Sequence, residues 1–120
     1  FEKIQKHNTI NMFGSGKETR DYIYIKDLMK AIHIIIKKSK FDSTAINIAN
    51  GECVKIETIC KTFAKLLNKP DLEIKFNNLQ QDGYPINWEA DITSLKKMGY
   101  MPDYSIEEGL KEYIDWIKKL

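Results

Sequence analysis

The sequence predicts a mixed domain, α/β or α+β, with a small sheet and about four helices. Three observations carry that expectation. Segments of strand and helix periodicity alternate along the whole chain, in the order β-β-α-β-α-β-α-α. Two stretches, 28–36 and 56–67, repeat apolar residues at helical spacing. Ser105-Ile106-Glu107-Glu108 is a capping box, a strong local sign of a helix start. No long linker, repeat or low-complexity tract divides the 120 residues, so they read as a single domain spanning 1–120.

Phe1 to Lys6 has the look of a helix tail, and a chain opening on Phe suggests a piece of a longer protein. Thr9 to Phe13 is a short apolar strand, followed by a turn at Gly14-Ser15-Gly16. Arg20 to Ile25 alternates, which predicts a second strand able to pair with the first as a hairpin. Asp27 is placed to cap the next helix, whose apolar face (Leu28, Ala31, Ile32, Ile35, Ile36) is widened by Met29 and Ile34. That width predicts a well-buried helix, closed by Lys37, Lys38 and Lys40 at its negative dipole end. Ala45 to Ala49 is a further strand candidate, ended by the Asn50-Gly51 turn. Ile56 to Leu67 is amphipathic and stops at Asn68 and Pro70. Leu72, Ile74 and Phe76 alternate with charged residues as a half-buried strand. A polar loop covers 77–87, and Asp91 caps a short helix that Gly99 ends. The last helix runs from the capping box to about Leu120 and buries Leu110, Ile114 and Ile117.

Composition excludes several functions. A net charge of +2 with dispersed lysines does not make a nucleic-acid surface. No apolar run can cross a membrane and no signal peptide is visible. Cys53 and Cys60 lack metal-ligand or redox spacing and read as reduced thiols near the core, which fits a cytoplasmic protein. His33 lies in an apolar helical stretch and reads as a packed histidine; no metal site is expected.

Arg20 stands out because it is the single arginine, against eighteen lysines. An arginine at a strand start can present a planar fork to two phosphate oxygens, which lysine cannot match. Pairing with Asp21 or another surface acid is the commoner outcome for such a residue, so both readings stand on residue type alone. Tyr22 and Lys26 form a Y-x-x-x-K, but on a strand they would sit about 13 Å apart, against about 6 Å on a helix. It is therefore no catalytic pair. Gly14-x-Gly16 lacks a third glycine and leads into a strand, so it is no dinucleotide loop. Trp88 and Trp116 read as packing residues in preference to a sugar platform, and no complete catalytic constellation is present.

Four blocks nevertheless resemble, in order, those of extended short-chain dehydrogenases, the NAD-dependent nucleotide-sugar epimerases and dehydratases. They are Gly14-x-Gly16-x-x-x-Arg20-Asp21-Tyr22-Ile23-Tyr24-Ile25-x-Asp27, then Ile46-Asn47-Ile48-Ala49-Asn50-Gly51, then Asn87-Trp88-Glu89-Ala90-Asp91-Ile92. The fourth is Met98-Gly99-Tyr100-x-Pro102-x-Tyr104-Ser105-Ile106-Glu107-Glu108-Gly109-Leu110.

The resemblance implies the carboxyl-terminal, nucleotide-sugar-binding portion of a Rossmann-type α/β enzyme acting on a UDP- or dTDP-hexose. Its NAD-binding loop and helical Y-x-x-x-K would lie upstream of Phe1, leaving no catalytic residue here and an inactive piece. The parent would be a homodimer using NAD, transferring hydride from sugar C4, with nucleotide sugar as partner. The family arginine matching Arg20 contacts the diphosphate, which turns the balance toward the clamp. A second family arginine would fall near Gln81 and an acid near Tyr84; here Gln81 and Tyr84 stand in those substrate-binding positions. Lys55 replaces the family's serine cap before Ile56. The alternative is a stand-alone, non-catalytic module that binds nucleotide sugar or another protein.

Overall fold

A computed structural model describes residue 4, residues 6–80 and residues 82–120. Among them the elements run β1 (Thr9–Met12), β2 (Thr19–Asp21), α1 (Ile25–Lys38), β3 (Cys53–Lys55), α2 (Ile56–Leu66), β4 (Glu73–Phe76), β5 (Asn87–Trp88), α3 (Thr93–Lys97) and α4 (Ile106–Ile117). The expected helix tail at 1–6 falls largely outside the described residues, as does Gln81. The mixed α/β class and its four helices agree with the sequence.

The strands form two small sheets. β1 and β4 run parallel, with Ile10 opposite Ile74. β2 is the centre of the other sheet, antiparallel to β3 and parallel to β5, so Arg20 faces Val54 on one side and Trp88 on the other. The expected β1–β2 hairpin is therefore incorrect. Gly14 (φ +91°) and Gly16 (φ +78°) swing the chain from one sheet to the other instead. The Phe76 ring lies so close to Gly16 that a Cβ there would meet it at 2.7 Å. Glu18 holds this crossing by accepting the Ser15 amide at 2.8 Å and the Ser15 hydroxyl at 2.9 Å.

Three further expectations are corrected. β2 ends at Asp21, because the Asp21 carboxylate turns to accept the amides of Asn50 and Gly51. Residues 22–24 continue as an unpaired link, and α1 begins at Ile25 with extended Tyr24 as its N-cap. Asp27 is not that cap. It is 1% exposed, inside the first turn, and accepts the amides of Asp103 and Tyr104 at 2.9 and 3.1 Å. Ala45 to Ala49 forms no ladder, although Ile46 and Ile48 pack on the core and Ala49 is buried.

Two core clusters result. One gathers Ala31, Ala49, Ile92, Leu95 and Tyr100 beneath α1; the other gathers Ile4, Ala64 and Leu72 beneath α2. Lys55 gives α2 no side-chain cap. Its first amides are met by the chain crossing instead: Ile56 donates to the Glu18 carbonyl and Glu57 to that of Gly16, both at 2.9 Å. Asp91 accepts the Thr93 amide ahead of α3, and Gly99 closes that helix at φ +90°. The capping box at Ser105 is complete in both directions. Both cysteines are free and half-buried.

The clusters do not cover all the apolar surface. His33 is exposed on α1, not packed, because it lies on the side turned away from Ala31. α1 is not well buried either: Met29 and Ile36 are exposed. Trp88 and Trp116 are also exposed and lie outside both core clusters, although the Trp116 ring packs against that of Tyr113 at 5.9 Å.

Candidate functional site

A cleft of about 320 Å³ opens beside the crossing between the two sheets, its wall formed by Gly14, Arg20, Tyr22, Ile56, Leu79 and Tyr84 among others. Its charged residues are Arg20 and Glu18.

Arg20 is fixed from several sides. As the middle residue of the central strand its backbone is paired on both edges. Its Nη1 donates to the Thr19 carbonyl at 2.7 Å and the Ile86 carbonyl at 3.3 Å. Its guanidinium carbon lies 5.2 Å from the centre of the Tyr84 ring, a cation–π arrangement. Among the described residues Arg20 makes no ion pair and its remaining nitrogens have no hydrogen-bond partner. Asp21 does not neutralise it, being committed to the Asn50 and Gly51 amides. The surface ion-pair reading of Arg20 is thereby set aside. A cation held on neutral carbonyls and an aromatic face keeps its charge for a third party, and its fork suits paired anionic oxygens.

The rest of the cleft is apolar with polar tips. Burial pushes the Tyr22 phenol above its ordinary value, while the Arg20 charge pulls it the other way. Tyr22 is thus a neutral hydroxyl near neutral pH, able to donate or accept. Glu18 is held below the usual carboxylate range, first by the Ser15 amide, so it stays ionised; its charge is turned into the crossing loop. Phe13, Leu79 and Ile86 are exposed and line the same wall, a surface suited to a flat or apolar ligand portion.

Of the residues singled out from sequence, the structure brings Arg20 and Tyr84 together, and Gln81 lies outside the described residues. Sequence reasoning missed Tyr22, Leu79 and Ile86. The apolar residues within an otherwise polar loop at 77–87 were the available signal for the latter two.

The Gly14–Gly16 segment does not form a dinucleotide loop. Gly14-x-Gly16 leads into β2, and the nearby start of α2 spends its first amides on the carbonyls of Gly16 and Glu18. No free helix N-terminus is left there for a pyrophosphate. Among the described residues no three His, Cys, Asp or Glu side chains converge on a metal-sized site, and no helix is long and apolar enough to cross a membrane.

Residues 1–49 match the model of the NAD dependent epimerase/dehydratase family. A UDP-glucuronate 4-epimerase of Thermodesulfobacterium geofontis is 30% identical over 118 residues, covering 97% of this chain and 35% of that protein. An uncharacterized protein of Methanocaldococcus jannaschii is 36% identical over 108 residues, covering 89% of this chain and 32% of its own length. The crystal structure of UDP-glucuronic acid 4-epimerase from Bacillus cereus, in complex with UDP-glucuronic acid and NAD, superposes with a TM-score of 0.83. It is 27% identical and covers 98% of this chain and 38% of that one. The fold matches that of a little over a third of an extended short-chain dehydrogenase. The chain is thus similar to members of the NAD-dependent epimerase/dehydratase family, and it spans about a third of the length of the curated relatives it matches.

Proposed function

We propose that this chain supplies the nucleotide-sugar-binding, carboxyl-terminal part of an NAD-dependent epimerase or dehydratase acting on a UDP- or dTDP-hexose. In this reading Arg20 holds the diphosphate, Tyr84 keeps the guanidinium in place, and Gln81 offers a neutral hydrogen bond to phosphate or ribose. Chemistry at sugar C4 then belongs to residues outside these 120, since neither a dinucleotide loop nor a helical Y-x-x-x-K lies within them. The parent enzyme is a cytoplasmic homodimer, and this chain by itself is inactive.

The observation that supports the reading is the state of Arg20: the single arginine, immobilised on two carbonyls and a ring at a cleft, without an acid to neutralise it. Fixing the fork beforehand lowers the ordering cost of binding. The sugar would lie along the wall of Tyr22 and Ile56, with the diphosphate at Arg20.

Titrating the chain and its Arg20→Lys variant with UDP-glucose tests this. Loss of one charge-assisted bidentate contact costs about 1.5–3 kcal/mol, roughly 10- to 150-fold in affinity. Equal affinity in the two proteins overturns the assignment. Millimolar binding by the unaltered chain fits a part of an enzyme, whereas micromolar binding points to the self-sufficient module.

A further inference from the structure

The lining of the Arg20 cleft comes from two unlike sources. Tyr22 and Ile56 belong to the link after β2 and to the start of α2. Leu79, Tyr84 and Ile86 belong to the loop between β4 and β5, and Phe13 to the crossing beside it. These last four side chains are 59%, 60%, 52% and 57% exposed, so the loop presents carbon to whatever enters the cleft.

That loop is anchored at both ends. Asn77 Oδ1 accepts the Gly14 amide at 3.1 Å and the Leu79 amide at 3.0 Å. The Asn78 amide donates to the Gly14 carbonyl at 2.9 Å. At the other end the Ile86 carbonyl accepts the Thr19 amide at 2.9 Å and Arg20 Nη1 at 3.3 Å. The polar groups that hold the loop are thus spent within the fold, and the apolar wall is in place before a ligand arrives. The carboxylate in the lining, Glu18, is committed as well, with Oε1 accepting the Ser15 amide and hydroxyl. Among the described residues, the loop wall retains as polar tips the Gln80 amide and the Tyr84 hydroxyl, both neutral.

With the diphosphate at Arg20 and the hexose along Tyr22 and Ile56, the nucleoside falls on this loop wall. A ribose brings a 2′-hydroxyl that exchanges water for carbon, and a vicinal diol that meets no free carboxylate. Burying a hydroxyl without a full partner is unfavourable. A 2′-deoxyribose has no such group to desolvate, and the C5-methyl of thymine gains by burial against Leu79 and Ile86. We propose that this wall selects a 2′-deoxythymidine diphosphate sugar over a uridine diphosphate sugar. The inference rests on the functional reading above, which admits either nucleotide. Discrimination by an apolar wall is graded and not absolute.

The test titrates the chain by calorimetry with four ligands that separate the two chemical differences: UDP-glucose, dUDP-glucose, 5-methyl-UDP-glucose and dTDP-glucose. Removing the 2′-hydroxyl should tighten binding about three- to tenfold. Adding the methyl should tighten it about two- to fourfold. dTDP-glucose should therefore bind about 6- to 40-fold more tightly than UDP-glucose. Leu79→Asn replaces carbon on the wall with a polar partner, and should cut that ratio at least threefold. A ratio that Leu79→Asn leaves unchanged overturns the assignment to this wall. Equal affinity for the four ligands, or a preference for UDP-glucose, with the loss in Arg20→Lys intact, overturns this inference alone. Binding of none of the four overturns the functional reading and this inference with it.

Discussion

The Arg20 guanidinium and the Tyr84 ring face each other across one cleft, 5.2 Å from carbon to ring centre. The two residues are 64 positions apart in sequence, and β2 and the loop before β5 bring them together, with Thr19 donating its amide to the Ile86 carbonyl at 2.9 Å. An exposed tyrosine beside a cation contributes about 0.5–1 kcal/mol. Tyr84→Ala should weaken UDP-glucose binding about two- to fivefold and lower the unfolding midpoint by about 2–4 °C. Tyr84→Phe should bind as the unaltered chain does, because the face and not the hydroxyl meets Arg20. Calorimetric titration checks both.

Asp27 is a structural brace. Its buried carboxylate holds the chain ahead of α4 through the amides of Asp103 and Tyr104. The Tyr24 and Tyr104 rings, 4.7 Å apart, pack over the same junction. Asp27→Ala leaves two amides without an acceptor and should cost about 3 kcal/mol. Thermal unfolding should show a midpoint lower by about 10 °C. A shift of a degree or two would remove Asp27 from this role.

Tyr100 is fully buried, and its hydroxyl has no hydrogen-bond partner among the described residues. Burial, with smaller contributions from Asp27, Asp21 and Asp103, pushes its pKa up to about 12. An unfolded tyrosine titrates near 10, so the folded state holds this proton more tightly. The associated stability is complete below pH about 10 and is lost as pH rises toward 12. Tyr100→Phe keeps the ring and removes the hydroxyl. Stability at pH 7 should stay equal or rise by up to about 1 kcal/mol, and the decline between pH 10 and 12 should become shallower. Denaturant titrations across that range measure both.

Much of the fold was legible because local signals act alone. The Ser105 box, the apolar period of α2 and the turn at Gly99 need no distant partner. The failures were non-local. Nothing within residues 9–25 says that β1 pairs with Glu73–Phe76, and the G-S-G segment looked like a hairpin turn until Phe76 occupied its far side. Asp27 sits where a cap belongs, yet its acceptors are used 76 residues away. His33 reads as packed because its sequence neighbours are apolar; on α1 those neighbours serve two faces, and this fold covers one. Arg20 was found from composition and motif, but its freedom from Asp21 became visible with the Asn50 and Gly51 amides in place.

The claim that Arg20 marks a nucleotide-diphosphate site is tested most directly by amide NMR of the chain titrated with UDP-glucose. Shifts should concentrate at Gly14, Arg20, Tyr22 and Tyr84, saturate together, and be lost in Arg20→Gln while that variant's remaining spectrum stays folded. Shifts centred elsewhere, or a titration that Arg20→Gln leaves unchanged, would contradict the account.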